Sequence, residues 1–539
     1  MLDPKYLEKF SDQLLGIIDT LTIAIISDMA KRIVKMGNVS ESTKHQAEVL
    51  QNAGLVYKDT IKRVSQVSGY QKHEVQRMYE EAGVRNLKNE AVYYKQAGKE
   101  DIKLNQSNGM QRILQANIRK TCQELDNLTM TTAVRSQSAY IQACNRAQMK
   151  VSSGAFSYDK AIADAIKEAA VQGTEVLYPS QHVDKLDVAV RRAVLTGVNQ
   201  TAAEMNLQYA KDQNCDYVET TAHEGARPEH AVWQGKVFCL SGTDPKYENF
   251  YEATGYGTGP GLCGWNCRHN FHAFFPGIST PAYTQEMLDD YSAKNVEYNG
   301  KQFTEYEAGQ MQRGHERQIR ETKRKLAGYN SAISEAKDDL KNTLQNRFNE
   351  ESVRLKKQEA ALKVFCKETG RRYESARVQI HAVKNKAGDI VGFNRSVAQK
   401  AVWQDRKNIF KNQMSKQLEK LAEEEKKAIW RYTGNAANRV NSAIYSGKQQ
   451  RIDQEKGFMD LLDSALSKGT AEHKMVVHRD TIPEYLNAFP KGFQYSEEDI
   501  KRMNGMTLTN KGYTSTSFHD IMYQGRNVHL EIEIPKGYK

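Results

Sequence analysis

The residues best suited to chemistry lie in two places. The first is the pair of segments TTAHEGARPEHAVWQGKVFCL and GYGTGPGLCGWNCRHNFHAFFPG, which gather His223, Arg227, His230, Cys263, Cys267, His269 and His272 in a glycine-rich setting. Imidazole and thiolate together suit zinc, which takes four nitrogen or sulfur ligands in a tetrahedron. Cys263, Cys267 and His269, with an upstream His230 or Cys215, supply such a set. The Cys-x3-Cys-x-His spacing is not a standard finger spacing, and the plain alternative is a hydrogen-bonded polar core with buried thiols. A catalytic Cys/His pair needs a base fixed beside the sulfur, and nothing in the spacing fixes one.

The second place is the C-terminal stretch. It holds Arg479 in KMVVHRD, then Ser515, Thr516 and Ser517 in GYTSTSF, then Glu531 and Glu533 in NVHLEIEIP. A guanidinium makes forked hydrogen bonds to phosphate oxygens that an ammonium does not match. Glu531 and Glu533 alternate along a strand pattern, which puts both carboxylates on one face.

Proline sets the elements that must position these groups. None occurs between Pro4 and Pro179 or between Pro281 and Pro483, whereas six of the ten lie from Pro179 to Pro281. Interior proline breaks a helix at a cost of about 3 kcal/mol, so long helices belong to the proline-free stretches. The expected organisation is a helical region over 1–210, a compact Gly/His/Cys-rich α+β module over 211–285 and a long charged helical region over 286–370. A linker with a short hairpin and a helix follows over 371–419, and then an α+β domain over 420–539. The fold class is therefore multidomain, mainly α in its N-terminal and central regions, with a small loop-rich module and a C-terminal α+β domain. At 539 residues the chain exceeds one ordinary core.

The net charge of +11 favours polyanions such as nucleic acid, although a solvated basic surface has the same composition. The most apolar stretch, LLGIIDTLTIAIISDMAKRIV, is interrupted by Asp19, Thr20, Thr22, Ser27 and Asp28. It falls short of the ~18–20 apolar residues that a bilayer span needs and reads as a helix packed on other helices. No export signal and no membrane partner are expected from it. Seven cysteines, an odd number, are too few for a disulfide framework.

Two resemblances follow from these motifs. AHEGARPEHAVWQGKVF, GYGTGPGLCGWNCRHNFHAFFPG and the basic QMQRGHERQIRETKRKL together resemble phage minor capsid proteins of the Mu F-type and minor capsid protein 2 group, over about residues 1–370. That resemblance implies a few-copy protein of the phage head near the portal, with portal and capsid proteins and packaged DNA as partners. The order of Arg479, GYTSTS and a following apolar strand resembles Arg-Ser-Glu class ADP-ribosyltransferases over about 420–539, with Tyr432, Thr433 and Asn441 in the helical lead-in. This second resemblance implies NAD as substrate. Arg479 would hold its diphosphate, Ser515 its ribose, and the Ser515-Thr516-Ser517 run would brace the pocket. In such enzymes a Glu stabilises an oxocarbenium-like sugar, much as carboxylates do in glycoside cleavage. The E-x-E pair of that class follows a further turn and strand, so Glu531 and Glu533 are expected to be decoys. The catalytic Glu is expected beyond Lys539, leaving this chain inactive or truncated before the motif. The alternatives are a purely structural capsid protein with a degenerate C-terminal domain, and a bacterial toxin delivered without a virion. The acceptor protein is not legible in the sequence.

Overall fold

The computed structural model describes residues 2–3, 6–7, 10 and those from 12 onward, except 37–41, 243, 381–382, 385–389, 471–474, 482–495, 497–511, 515, 517–527, 536 and 539. The chain divides into two compact units, Met1–Val402 and Trp403–Lys539.

The first unit begins with α1 (Asp12–Lys35), α2 (Ser42–Gln96), α3 (Asn108–Ser152) and α4 (Tyr158–Gln172). A small ribbon, β1 (Glu175–Leu177) and β2 (Val183–Lys185), leads into α5 (Leu186–Asp212). The proline-free sequence is thus helical, as its periodicity predicts. Leu14, Ile18, Leu21, Ile25, Met29 and Ile33 recur at helical spacing along α1 and are all buried in the main core. Burying each such side chain contributes about 1.5–3 kcal/mol. Among the described residues no helix is long and apolar enough to cross a membrane.

Past α5 the helices shorten because glycine and proline interrupt them. Strands β3 (Tyr217–Thr220), β4 (Val237–Cys239) and β5 (Phe271–Ala273) form an antiparallel sheet in the order β4-β3-β5. The short helices α6 (Pro228–Ala231) and α7 (Phe250–Thr254) lie within this module, and α8 (Gln285–Ser292) and a β6–β7 ribbon (Val296–Tyr298 with Lys301–Phe303) follow.

The charged region that follows is two helices rather than one, α9 (Glu305–Ile333) and α10 (Asp338–Glu368). The break falls where Asp338 takes a left-handed backbone with φ 47°, a conformation that Asp and Asn tolerate better than most residues. Thr304 caps α9 reciprocally with Glu307, so the helix start is written in the sequence TEYE. Helix α9 packs on α10, α1 and α4. At Gly328 a Cβ would come within 3.2 Å of the Ala170 side chain and 3.3 Å of that of Ile166, so glycine lets α9 and α4 approach closely.

Charge fastens this bundle as well. Arg320 of α9 donates to Asp187 of α5 at 2.8 Å and to Asp19 of α1, and Arg324 donates to Asp187 at 2.5 Å, all four being buried. The polar residue that interrupts the apolar run at position 19 therefore meets a specific cation. A short helix, α11 (Ser375–Val378), and a two-residue ladder, β8 (Val383–Lys384) with β9 (Ile390–Val391), stand where the hairpin is expected. Its expected turn lies outside the described residues.

The boundary between the units falls within α12 (Arg395–Leu418). The second unit continues with α13 (Glu423–Arg431), a π-helical turn (Tyr432–Ala436), α14 (Ala437–Ser446) and α15 (Gln449–Lys468). Glu425 ties α13 to α15 by accepting from Ser464 at 2.6 Å and Lys468 at 2.5 Å. Strands β10 (Met475–Thr481) and β11 (Val528–Ile534) pair antiparallel. Of the expected GYTSTSF strand, Gly512–Thr514 and Thr516 are described and are not in a strand.

Candidate functional site

In the small module, His230 comes from α6, while Cys267 and His269 come from the loop that enters β5. Asn199 of α5 holds that loop by donating to the carbonyls of Cys267 and His269 at 3.1 and 2.8 Å. A chain of buried asparagines continues the support. Asn86 donates to Asn206 at 2.7 Å, Asn206 to the Phe271 carbonyl at 2.8 Å, and Asn270 to Asn199 at 2.8 Å. These asparagines were not picked out from sequence, because their partners lie on other elements.

The result is a buried group of three donors. His230 Nδ1 and His269 Nδ1 are 3.4 Å apart, and Cys267 Sγ lies 3.7 and 3.6 Å from them. Burial pushes the pKa of both histidines below the ordinary value, that of His269 furthest, and pushes the Cys267 thiol up to about 11. Cys263, expected beside them, stands outside this group and turns its thiol to the His269 carbonyl at 3.4 Å. Cys215 also stands apart, with its thiol directed at the Tyr217 carbonyl at 3.3 Å. His223 stacks on His269 with ring centroids 4.2 Å apart. His272 instead stacks on Tyr93 at 4.0 Å and lies 3.6 Å from the buried Glu219.

The three donors line the wall of a cavity of about 1570 Å³. Its lining is also strongly basic, with Arg313, Arg317, Arg320 and Arg324 at intervals of three and four along α9. That spacing puts them on one helical face. Arg227 donates to the Trp265 carbonyl at 2.6 Å and also lines the cavity, as do Arg191 and Arg268. Arg320 and Arg324 are engaged by Asp187, whose carboxyl is disfavoured by burial but held at about 2 by the two guanidiniums.

In the second unit Arg479 sits half-buried on β10, paired in register with Leu530. Glu531 and Glu533 pair with His478 and Val476. Three positions separate 476 from 479, so strand alternation assigns Glu533 and Arg479 to opposite faces of the ribbon. Thr516 is described and exposed, whereas Ser515 and Ser517 lie outside the described residues. Helical residues grip the chain just before them. Tyr432 donates to the Tyr513 carbonyl at 2.9 Å, Asn441 accepts from the Tyr513 amide at 3.0 Å, and the Tyr513 hydroxyl donates to Asp463 at 2.6 Å. Thr433, the third lead-in residue, bonds instead to the Trp430 carbonyl at 3.0 Å.

Comparison with known proteins gives the two units separate relatives. Residues 2–367 match the phage minor capsid protein 2 family, and residues 407–539 match the ADP-ribosyltransferase exoenzyme family. The chain belongs to the phage minor capsid protein 2 family and carries an ADP-ribosyltransferase domain at its C-terminal side. A structural protein of Lactococcus phage LL-H is 27% identical over 228 residues, covering 40% of this chain and 58% of that protein. No solved structure matches significantly.

Proposed function

We propose that the chain is a minor structural component of the phage head, placed near the portal, whose C-terminal unit is an NAD-dependent mono-ADP-ribosyltransferase effector that leaves the head with the DNA. The observation that carries this reading is the pair of non-overlapping family matches, one ending at residue 367 and the next starting at 407, on either side of a structural division at Val402. A capsid protein and an NAD enzyme on one polypeptide make sense if the virion carries the enzyme.

The residue chemistry is consistent with both parts. Arg313 and Arg317 of α9, less buried than Arg320 and Arg324, offer phosphate contacts in a DNA-filled compartment. Arg479, half-buried on one face of its ribbon, fits a clamp for the NAD diphosphate. NAD supplies the nicotinamide–ribose bond to be broken, and Ser515, Thr516 and Ser517 are assigned to holding the ribose and bracing the pocket. Tyr432 and Asn441 would act through Tyr513, fixing where that run starts. Mass spectrometry of purified virions tests the capsid part, and the chain's absence from them would overturn it. Transfer of ADP-ribose from labelled NAD to host lysate proteins tests the effector part.

A second reading is a capsid protein whose C-terminal unit no longer turns over NAD. The register leaves it open, because Glu533 stands on the ribbon face opposite Arg479, in keeping with the expectation that it is a decoy under either reading. The two readings part on turnover alone, since NAD binding without transfer supports the second.

A further inference from the structure

We propose that His230, Cys267 and His269 bind a zinc ion through Nδ1, Sγ and Nδ1, with the fourth coordination position supplied from the cavity they line. The first argument is distance. Zinc–nitrogen bonds of about 2.0–2.1 Å and a zinc–sulfur bond of about 2.3 Å at tetrahedral angles place the nitrogens about 3.3–3.4 Å apart and each about 3.5–3.6 Å from sulfur. The three separations in the structure are 3.4, 3.7 and 3.6 Å. The donors stand within about 0.1 Å of the spacing that one tetrahedral ion imposes.

The second argument is the direction of the hydrogens. His230 Nε2 faces the Pro260 carbonyl at 2.8 Å, an atom that only accepts, so Nε2 carries the hydrogen. His269 Nε2 faces Gln234 Oε1 at 3.1 Å. The same Oε1 accepts from the His223 amide at 3.2 Å, which fixes it as oxygen and Nε2 of His269 as donor. Both Nδ1 atoms of the neutral rings therefore present lone pairs to one another. Flipping either ring would relieve that opposition but discard its Nε2 bond. The single Cys267 thiol proton satisfies one nitrogen and leaves the other facing it. A cation accepts all three lone pairs at once.

The third argument is the surrounding shell. A histidine that ligates a metal usually donates its other N–H to a carbonyl or carboxylate, which sets its orientation. Both histidines already do so, and Asn199 pins the carbonyls of Cys267 and His269. Two nitrogens and a thiolate suit zinc among the common biological ions. Bound there, the ion would staple α6 to the loop entering β5, in a module whose sheet has strands of only three and four residues.

The test uses the full chain. Purified without chelator, it should carry about one zinc per chain, because binding there is coupled to the folded module. Chelated and reloaded with Co2+, it should show intense four-coordinate d–d bands and a thiolate-to-cobalt charge-transfer band. Cys267→Ser should lose the charge-transfer band while Cys263→Ser, equally buried, keeps it. Gln234→Ala should weaken Zn2+ affinity by about 10–100-fold. A folded wild-type chain that neither retains nor takes up Zn2+ or Co2+ overturns the proposal. So does a charge-transfer band that disappears with Cys263→Ser and survives Cys267→Ser.

Discussion

Arg479 and Glu533 lie on opposite faces of the β10–β11 ribbon, because Arg479 pairs with Leu530 and Glu533 pairs with Val476. If Arg479 holds the NAD diphosphate, as proposed, Glu533 faces away from the side on which that clamp stands. Glu533→Gln should leave NAD binding by the full chain within about twofold, whereas Arg479→Lys loses a charge-assisted fork worth about 1.5–3 kcal/mol and should weaken it at least tenfold. Calorimetric titration of NAD reads both. Equal losses in the two variants would mean that the ribbon does not separate the residues in function.

Asn441 makes a more local prediction. It both accepts from the Tyr513 amide and donates to the Tyr513 carbonyl at 3.3 Å, and it also donates to the Tyr432 hydroxyl at 3.0 Å. Asn441→Ala leaves these groups short of partners and should cost about 1–3 kcal/mol in the second unit. Gly512→Ala should act in the same direction, since a Cβ there would meet Asn441 Oδ1 at 2.6 Å. Denaturant unfolding followed in the second unit checks both, and a lowered midpoint is the expected result.

What the sequence discloses and withholds can be seen in these same residues. Alternation puts Glu531 and Glu533 on one face, and the resemblance names Arg479, but which face each occupies is a matter of register between strands whose paired residues are 47 or more positions apart. The helices of the first unit were legible because proline is absent and apolar residues recur at helical spacing. The break before Asp338 was not, since no glycine or proline marks it. His230, Cys267 and His269 stood out by type and spacing. Cys263 stood out equally, and only the left-handed turn at Cys263 (φ 59°) and the loop beyond it separate the two thiols. Asn86, Asn199, Asn206 and Asn270 gave no local signal, because each owes its role to a partner on another element.

The buried charges of the bundle give a third prediction. Asp187 receives hydrogen bonds from Arg320 and Arg324, and Asp187→Ala would leave both guanidiniums without that carboxylate in a buried site. Removing one partner of such a group costs about 3–5 kcal/mol. Asp187 is depressed to about 2, so its contribution is present above the ordinary aspartate range and is lost as pH falls through about 2. Thermal melts of wild type and Asp187→Ala should therefore differ most at neutral pH and converge in strong acid.

The arginine face of α9 predicts salt-dependent DNA binding. Arg313 and Arg317 line the cavity on the same face as Arg320 and Arg324 but are more exposed. Each phosphate contact removed lowers the slope of log affinity against log salt by about 0.9. Arg313→Ala with Arg317→Ala should therefore flatten that slope for duplex DNA and weaken binding alike for unrelated sequences. An unchanged slope would overturn a role for this face in DNA binding.

Glu219 and His272 make opposing demands on pH within the small module. Burial raises the Glu219 carboxyl to about 7, while burial lowers the His272 imidazole to about 4. A carboxyl raised above its unfolded value gives a contribution that is whole below that value and is lost as pH rises through about 7. An imidazole depressed below its unfolded value contributes fully above that value and loses its contribution as pH falls toward about 4. Between about 4.5 and 6.5 the two slopes oppose, so this pair should leave stability nearly level in mild acid. Glu219→Gln mimics the protonated acid, keeps an acceptor for the Ala282 amide that now bonds Glu219 at 2.7 Å, and removes one slope. The difference in stability between Glu219→Gln and wild type should shift in favour of the variant as pH rises from about 4.5 to 7, then stay constant. Denaturant melts of the full chain at several pH values measure that difference, and a difference independent of pH would show that Glu219 is ionised throughout.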